Sequence, residues 1–426
     1  MNLLIAHKHF FRGGGTSTYL YGLLEALSAM GHRPAVLTVG YRRTDTAGYP
    51  THLVSPPAGA DAAFHREIKR TPLNLLRMLG RAVYSVEARA KTLDATDQHG
   101  IDLAYVHNIY NYLSPSVVAA CRARGVPVVM RVADYNLVCA SFGMFRDGHT
   151  CYECVVAGPK QALRYRCVKG SLAATSARVL SMYVHRLLRI YRGVDLFITP
   201  SQFMREMLLF AGFPAERVVH LRSFFDGNSR FPTPARNGKP PYQLYFGRLS
   251  PEKGLEVVLR AHKRADTGLE LVLAGDNRDG YREQLTALVA QERIPGVKFA
   301  GLLNAQQLHE TIADAEFVVA PALCFDNAPM SVLEAFACAK PVLGARIGGI
   351  PEQIDDSVGA LFEPGNVADL AAKMRWMAGH PEELERKGAA ARHRLDERYS
   401  RQGHCAELVS RFESAIAARR PGGNGR

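Results

Sequence analysis

Short apolar runs alternate with longer amphipathic ones along most of the chain. Leu3–Ala6, Arg33–Val39, Asp102–His107, Pro127–Val132 and Val194–Thr199 are apolar and rich in β-branched residues, which predicts strands. Between them, Tyr19–Met30 has helical period and is closed by Gly31, and a further helix opens after Pro200-Ser201 and runs to Phe210. The alternation resumes with a strand at Leu244–Phe246, a helix at Leu255–His262, strands at Leu269–Gly275 and Val297–Gly301, and a helix at Ala305–Ala313. EFVVAP then reads as a buried strand stopped by Pro321, SVLEAFACA as a helix and PVLGA as another strand, and from Glu363 to about Ala418 the pattern is helical. Strand–helix alternation of this kind predicts α/β architecture with doubly wound sheets. A chain of 426 residues is too long for one ordinary core and suits two such domains. The stretch SFFDGNSRFPTPARNGKPP turns to Pro, Gly, Asn and Ser, which places a linker at 223–241 between a domain at 1–222 and one at 242–393.

Composition narrows the class. Hydrophobic residues make up 47% and charged ones 22%, a globular balance. No apolar run reaches about 18 residues, so no helix is expected to span a membrane. MNLLIAHKH opens directly into a strand without a signal peptide, so the chain is expected to stay in the cytoplasm. The net charge of +13 and pI near 9.4 favour an anionic partner: nucleic acid, an anionic membrane face, or a phosphorylated substrate. Two basic amphipathic stretches, Phe64–Leu93 broken by Pro72 and Arg178–Arg192, are either solvated faces or contacts with anionic lipid at the inner face of the membrane.

Candidate chemistry concentrates in Ala320–Glu352. Asp326 falls on a strand-to-helix loop and Glu334 about two turns into the following helix, with Asn327 as its expected N-cap. The first N–H groups of that helix, near Ala328, Pro329, Met330 and Ser331, have no intrahelical partners and make an anion cradle. A carboxylate pair beside such a cradle suits a ligand carrying both hydroxyls and phosphate. Near the N-terminus, the loop Phe11–Thr18 contains Gly13, Gly14 and Gly15, which let backbone come close to a phosphate. It lacks both the Gly-x-Gly-x-x-Gly spacing and the Walker lysine, so neither dinucleotide binding nor a P-loop is supported. His107, Asn108, Asp134 and Tyr135 follow the carboxyl ends of predicted strands, where open α/β sheets bind their ligands.

Cys139, Cys151, Cys154 and Cys167 form a Cys-x11-Cys-x2-Cys-x12-Cys pattern within an insertion at 136–170. A close pair flanked by two more thiols is the spacing of a structural zinc site. Four unrelated thiols, transient redox pairing and an iron–sulfur cluster are the other readings. Four cysteines would fill the shell, so such a zinc would not be catalytic.

Asp326-x7-Glu334 followed by Gly348-Gly349-Ile350-Pro351-Glu352 resembles the nucleotide-sugar site of the retaining, GT-B-type family-4 glycosyltransferases. Gly247-Arg248-x4-Lys253-Gly254 is similar to that family's diphosphate clamp. The resemblance implies two Rossmann-like domains facing a cleft, with a last helix at 394–418 crossing back to the first domain and a disordered tail at 419–426. It implies that Arg248 and Lys253 hold the donor diphosphate, that Glu334 binds ribose hydroxyls and Asp326 the sugar, and that backbone N–H groups from Asn327 to Ser331 hold oxygens of the donor. Gly14 and Gly15 would face the donor phosphates, while His107 and Asp134 would serve the acceptor. No catalytic metal is expected, because the cations are side chains. The partners implied are a nucleotide-diphosphate sugar and a glycan or lipid-linked acceptor, as in polysaccharide biosynthesis. Two departures stand out: Asp326 replaces the usual Glu, and Ala133 stands where many members have a sugar-contacting His.

A sugar-nucleotide epimerase or a phosphorylase on the same scaffold is the alternative within this fold. A basic zinc-containing nucleic-acid binder is the alternative outside it. The cysteine insertion offers no recognition helix and the chain has no RNP or helix-turn-helix pattern, so nucleic acid is not an expected partner.

Overall fold

The computed structural model describes residues 1–11, 15–57, 59, 71–225, 240–277 and 280–419. The chain divides into two compact units: Met1–Gly143, Tyr152–Ser223 and Arg401–Arg426 form the first, and Met144–Cys151 with Phe224–Ser400 the second. Most of the expected linker and nearly all of the expected tail lie outside the described residues, as does Gly14.

The first unit is built on β1 (Asn2–His7), β2 (Arg33–Val39), β3 (Thr51–Val54), β4 (Leu103–His107), β5 (Val128–Arg131), β8 (Leu196–Thr199) and β9 (Val218–His220). The intervening β6 (Phe145–Arg146) and β7 (His149–Thr150) form a small antiparallel hairpin. The seven strands pair in parallel in the order β3-β2-β1-β4-β5-β8-β9. Helices cover a parallel sheet on both faces, so its strands are apolar along their length. β4 and β5 are buried at every position. β3 and β9 are edge strands of four and three residues, too short to stand out from the surrounding pattern.

Three helix boundaries differ from the expected ones. The first helix is Gly15–Ala29, so Gly15–Thr18 form its opening turn rather than loop; Ser and Thr suit a first turn, where hydroxyls can serve the N–H groups. Pro72 begins the helix Pro72–Val83, capped by the Thr71 side chain accepting from Asn74 N, and the part of the expected stretch from Phe64 to residue 70 lies outside the described residues. Proline is tolerated there because that position needs no N–H donor. A break that was not expected falls at Ser85, which caps Val86–His99. The expected helix 394–418 is two: Pro381–Arg398 belongs to the second unit, and Arg401–Arg419 to the first.

A buried cation ties that final helix down. Arg131 is 4% exposed, lies over the Tyr19 ring at 4.2 Å, and donates to Ser223 Oγ at 2.7 Å. The Tyr19 hydroxyl also meets Tyr105 Oη at 3.1 Å and His404 Nε2 at 3.0 Å, and Phe412 packs on the Tyr105 ring at 5.3 Å.

The second unit holds β10 (Tyr242–Phe246), β11 (Glu270–Ala274), β12 (Val297–Gly301), β13 (Phe317–Ala320), β14 (Val342–Ala345) and β15 (Gly359–Phe362). They are parallel, in the order β12-β11-β10-β13-β14-β15. Apolar clusters fill both faces, one around Phe336 and Leu244, the other around Phe317 and Leu259. In each sheet the strand order reverses beside the first strand, between β1 and β4 and between β10 and β13. Ligands of open α/β sheets bind at such points, outside the carboxyl ends of the strands.

Phe412 is fully buried although it lies on the last described helix. Phe412→Ala is expected to cost about 3–5 kcal/mol, by lost transfer and a residual cavity. The urea midpoint of the full chain measures it; an unchanged midpoint would detach that helix from the first core.

Candidate active site

At the switch point of the second unit, the loops after β10 and β13 are locked together. Gly254 has φ of +71°, and a Cβ there would collide with Pro321 O, so only glycine lets the two loops close. Leu323 N donates to Glu252 O at 2.9 Å across the same seam. The result is that Lys253 Nζ donates to Asp326 Oδ2, a partly buried ion pair between residues 73 positions apart. Burial opposes the charge on Lys253, but Asp326 beside it more than restores it, and the pKa lies above that of an ordinary lysine. Arg248, on the same loop, is exposed and pairs with Glu252 at 3.5 Å. The two cations of the expected clamp therefore differ: one is anchored on a carboxylate, the other is held loosely at the surface.

A second glycine holds Asp326 from the other side. Gly348 has φ of +59°, and a Cβ there would collide with the Asp326 backbone, while Gly349 N donates to Asp326 O at 2.8 Å. The Gly-Gly turn after β14 thus packs on the Asp326 loop, which is why the two parts of the motif occur together. Asn327 is not the N-cap. Pro329 takes that position without a side-chain bond, and the helix runs Met330–Ala337. Asn327 is instead buried in the preceding loop. Ala328 also precedes the helix, while Met330 and Ser331 form its first turn, where the unbonded N–H groups and the helix dipole favour an anion.

Glu334 is the fifth residue of this helix, in its second turn, and its carboxylate takes no partner among the described residues. Burial raises its pKa to about 7. A carboxylate kept partly out of water and unpaired is suited to accept from neutral hydroxyls.

The first unit has its own polar cluster at its switch point. Strand register places His7 beside His107, with ring centroids 5.1 Å apart. Both are buried, and neither nitrogen of His107 nor Nε2 of His7 has a hydrogen-bond partner among the described residues. Burial lowers the His7 pKa to about 3 and that of His107 well below its ordinary value, so both are neutral. Burial also lowers the Lys8 pKa and raises that of Asp134, each opposed by the charge of the other. Asp134 caps the turn Tyr135–Leu137, accepting from Asn136 N, and Asn108 has a positive φ just past β4. Of this cluster, His7 and Lys8 were missed by the sequence reading. The strand-end rule that picked His107 and Asp134 applies equally to β1 and would have found them.

The cysteines do not form the expected four-thiolate shell. The Cys139 and Cys154 thiols are hydrogen-bonded, Cys167 is close enough to act on Cys154 electrostatically, and Cys151 follows the hairpin, donating its N–H to Met144 O. Among the described residues no three His, Cys, Asp or Glu side chains are grouped to hold a metal. The hydrogen bond that the Cys154 thiol gives to Cys139, together with burial, raises the Cys154 pKa.

Residues 228–394 match the family Glycosyl transferases group 1, and residues 14–222 match the Glycosyl transferase 4-like domain. Sulfoquinovosyl transferase SQD2 of Arabidopsis thaliana is 31% identical over 221 residues, covering 48% of this chain and 41% of that protein. The match thus spans less than half the length of that relative. Glycogen synthase of Mycobacterium tuberculosis is 26% identical over 399 residues, covering 90% of this chain and 86% of that one. Sucrose-phosphate synthase from Thermosynechococcus elongatus superposes with a TM-score of 0.71 at 17% identity, over 98% of this chain and 99% of that one. Anabaena HepE in complex with UDP gives 0.69 at 18% identity, over 97% and 100%. These likenesses show the GT-B fold, with its two Rossmann-like domains.

Two substitutions probe the geometry. Gly254→Ala is expected to destabilise the chain by about 1–3 kcal/mol, from a left-handed φ and the collision with Pro321, and to abolish any thermal shift given by nucleoside diphosphates. A stable variant that keeps the shift would show that the seam does not position Lys253. Glu334 gives a pH signature. Its folded pKa of about 7 lies above the unfolded value, so the stability carried by its protonated form is full below pH 4.5 and lost as pH rises through 7. Glu334→Gln should therefore match the wild type in acid and exceed it by about 3 kcal/mol at pH 8, measured by urea denaturation across that range. Equal stability at pH 8 would mean that Glu334 ionises at no cost.

Proposed function

The chain belongs to the glycosyl transferases of group 1, and we propose that it moves a sugar from a nucleotide-diphosphate sugar to an acceptor with retention of configuration. The observation that carries this reading is the Lys253–Asp326 pair at the switch point, next to the start of the helix that presents Glu334. Glu334 accepts from the ribose hydroxyls. The first N–H groups of the helix Met330–Ala337, with Asn327 and Ala328 before it, receive oxygens of the sugar and diphosphate. Lys253 and Arg248 neutralise the diphosphate as it gains charge on leaving, so the reading calls on no catalytic metal. The Anabaena HepE structure with UDP-glucose supports a donor of this class.

Donor binding exchanges partners in this reading. Phosphate oxygens take up Lys253, and Asp326 turns to the sugar hydroxyls it is placed to accept from. Attack comes from the face that the diphosphate leaves: the bond from the anomeric carbon to the phosphate oxygen breaks, the bond to the acceptor oxygen forms, and the acceptor proton passes to the departing phosphate. His107 and Asp134, with His7 and Lys8, serve as the acceptor's polar contacts, the neutral imidazoles being relieved by hydroxyl groups that can both donate and accept. The acceptor is a glycan or a lipid-linked sugar of a surface polysaccharide, reached at the inner face of a membrane. The excess of basic residues supports that setting.

Arg248→Ala or Lys253→Ala is expected to cost roughly 3 kcal/mol of transition-state stabilisation, as when one oxyanion donor is removed. A thermal-shift screen of nucleotide-diphosphate sugars identifies the donor for that assay, and its stabilising hit should vanish in Glu334→Ala. Unchanged turnover in either cation variant would remove the clamp from the mechanism.

A further inference from the structure

Eight of the fourteen large hydrophobic side chains exposed among the described residues lie between Phe142 and Leu188. Four of them, Leu172, Leu180, Tyr183 and Leu187, share one face of the helix Leu172–Leu187, within an arc of about 80° at 100° per residue. Leu187 is 81% exposed and Leu188 after it 57%. The opposite face, with Arg178, Met182 and His185, is buried, and Arg178 donates to Asn136 O at 2.7 Å. The arginine expected to mark a membrane-facing surface is thus part of the core, while the apolar stripe faces water. The insertion extends the stripe. Gly158 lies so that a Cβ would stand 3.8 Å from the Tyr183 hydroxyl, and Val156, on the helix just before it, is 70% exposed. Charge surrounds this surface with one sign. Arg164, Arg166 and Lys169 precede the helix, Arg186, Arg189 and Arg192 stand at and beyond its end, and all six are exposed. From Tyr152 to Arg192 the only acid is Glu153.

We propose that this face rests on a bilayer rich in anionic lipid. The stripe enters the boundary between headgroups and acyl chains, and the flanking cations meet lipid phosphates. An apolar stripe alone would suit any hydrophobic partner. The near-absence of acids along this stretch selects an anionic surface, and a stripe made chiefly of leucines suits acyl chains rather than stacked bases. The proposal deepens the reading of a lipid-linked acceptor, but the binding itself rests on this surface and not on the donor site.

Co-sedimentation with vesicles tests it. The full chain should bind vesicles containing about one-third phosphatidylglycerol, bind pure phosphatidylcholine at least about tenfold more weakly, and lose affinity as salt rises from 0.05 to about 0.5 M. Leu180→Ser with Leu187→Ser, and separately Arg186→Glu with Arg189→Glu, should each weaken binding by about tenfold or more. Thermal shift by nucleoside diphosphates, read on the same proteins, should stay as in the wild type. Its loss in the wild type would sink the donor reading and leave vesicle binding standing. Failure of the wild type to bind anionic vesicles at low salt overturns the proposal, as does binding that survives both double variants. Self-association in the absence of lipid that the leucine variant abolishes would assign the face to a second copy of the chain instead.

Discussion

The close approach of two loops organises the second unit's chemistry. Because Gly254 carries no Cβ, the turn after β10 can sit on the carbonyl of Pro321, and Lys253 then meets Asp326. Because Gly348 carries none either, the turn after β14 can press on the other side of the same loop. The aspartate is therefore clamped between two backbone contacts that no other residue would permit. A shorter acid at this place is consistent with such confinement: the side chain needs only to reach the lysine beside it. What looks in the chain like two separate motifs is one packing problem solved from both sides.

Both units apply the same solution at different polarity. Each reverses its strand order beside its first strand, and each collects ionisable groups at the open end so formed. In the second unit the groups are opposite charges in contact. In the first they are neutral imidazoles next to a lysine and a carboxylate that burial pulls toward neutrality. On the proposed reading, a charged leaving group would meet the first kind of end and uncharged hydroxyls the second.

Much of this was legible along the chain. Buried parallel strands are apolar, so Arg33–Val39, buried at every position after the first, could be read to the residue. The acidic motif, the clamp and the Gly-Gly turn were readable because each is local. What escaped was set by tertiary contact. His7 stands against His107 through register across β1 and β4, which no periodicity reports. The helix after Asp326 starts two residues later than the Asn327 cap would have it, with Asn327 buried in the loop before it. Arg178 looked like a surface charge until its partner, the Asn136 carbonyl, appeared. The spacing of the cysteines showed a pattern but not that Cys154 and Cys167 pack among Ala140, Ala162 and Val179.

The return of the chain to its first unit has a consequence for synthesis. Residues 224–400 are in effect inserted into a fold whose last helix is made at the end. While the ribosome is still translating the second unit, the first has its sheet but not the His404 and Phe412 that cover Tyr19 and Tyr105. Arg131 is then buried beneath nothing, and its surroundings stay open to water. The amino-terminal unit thus lacks part of its cover until residues 401–419 emerge, after the whole of the second unit has been made.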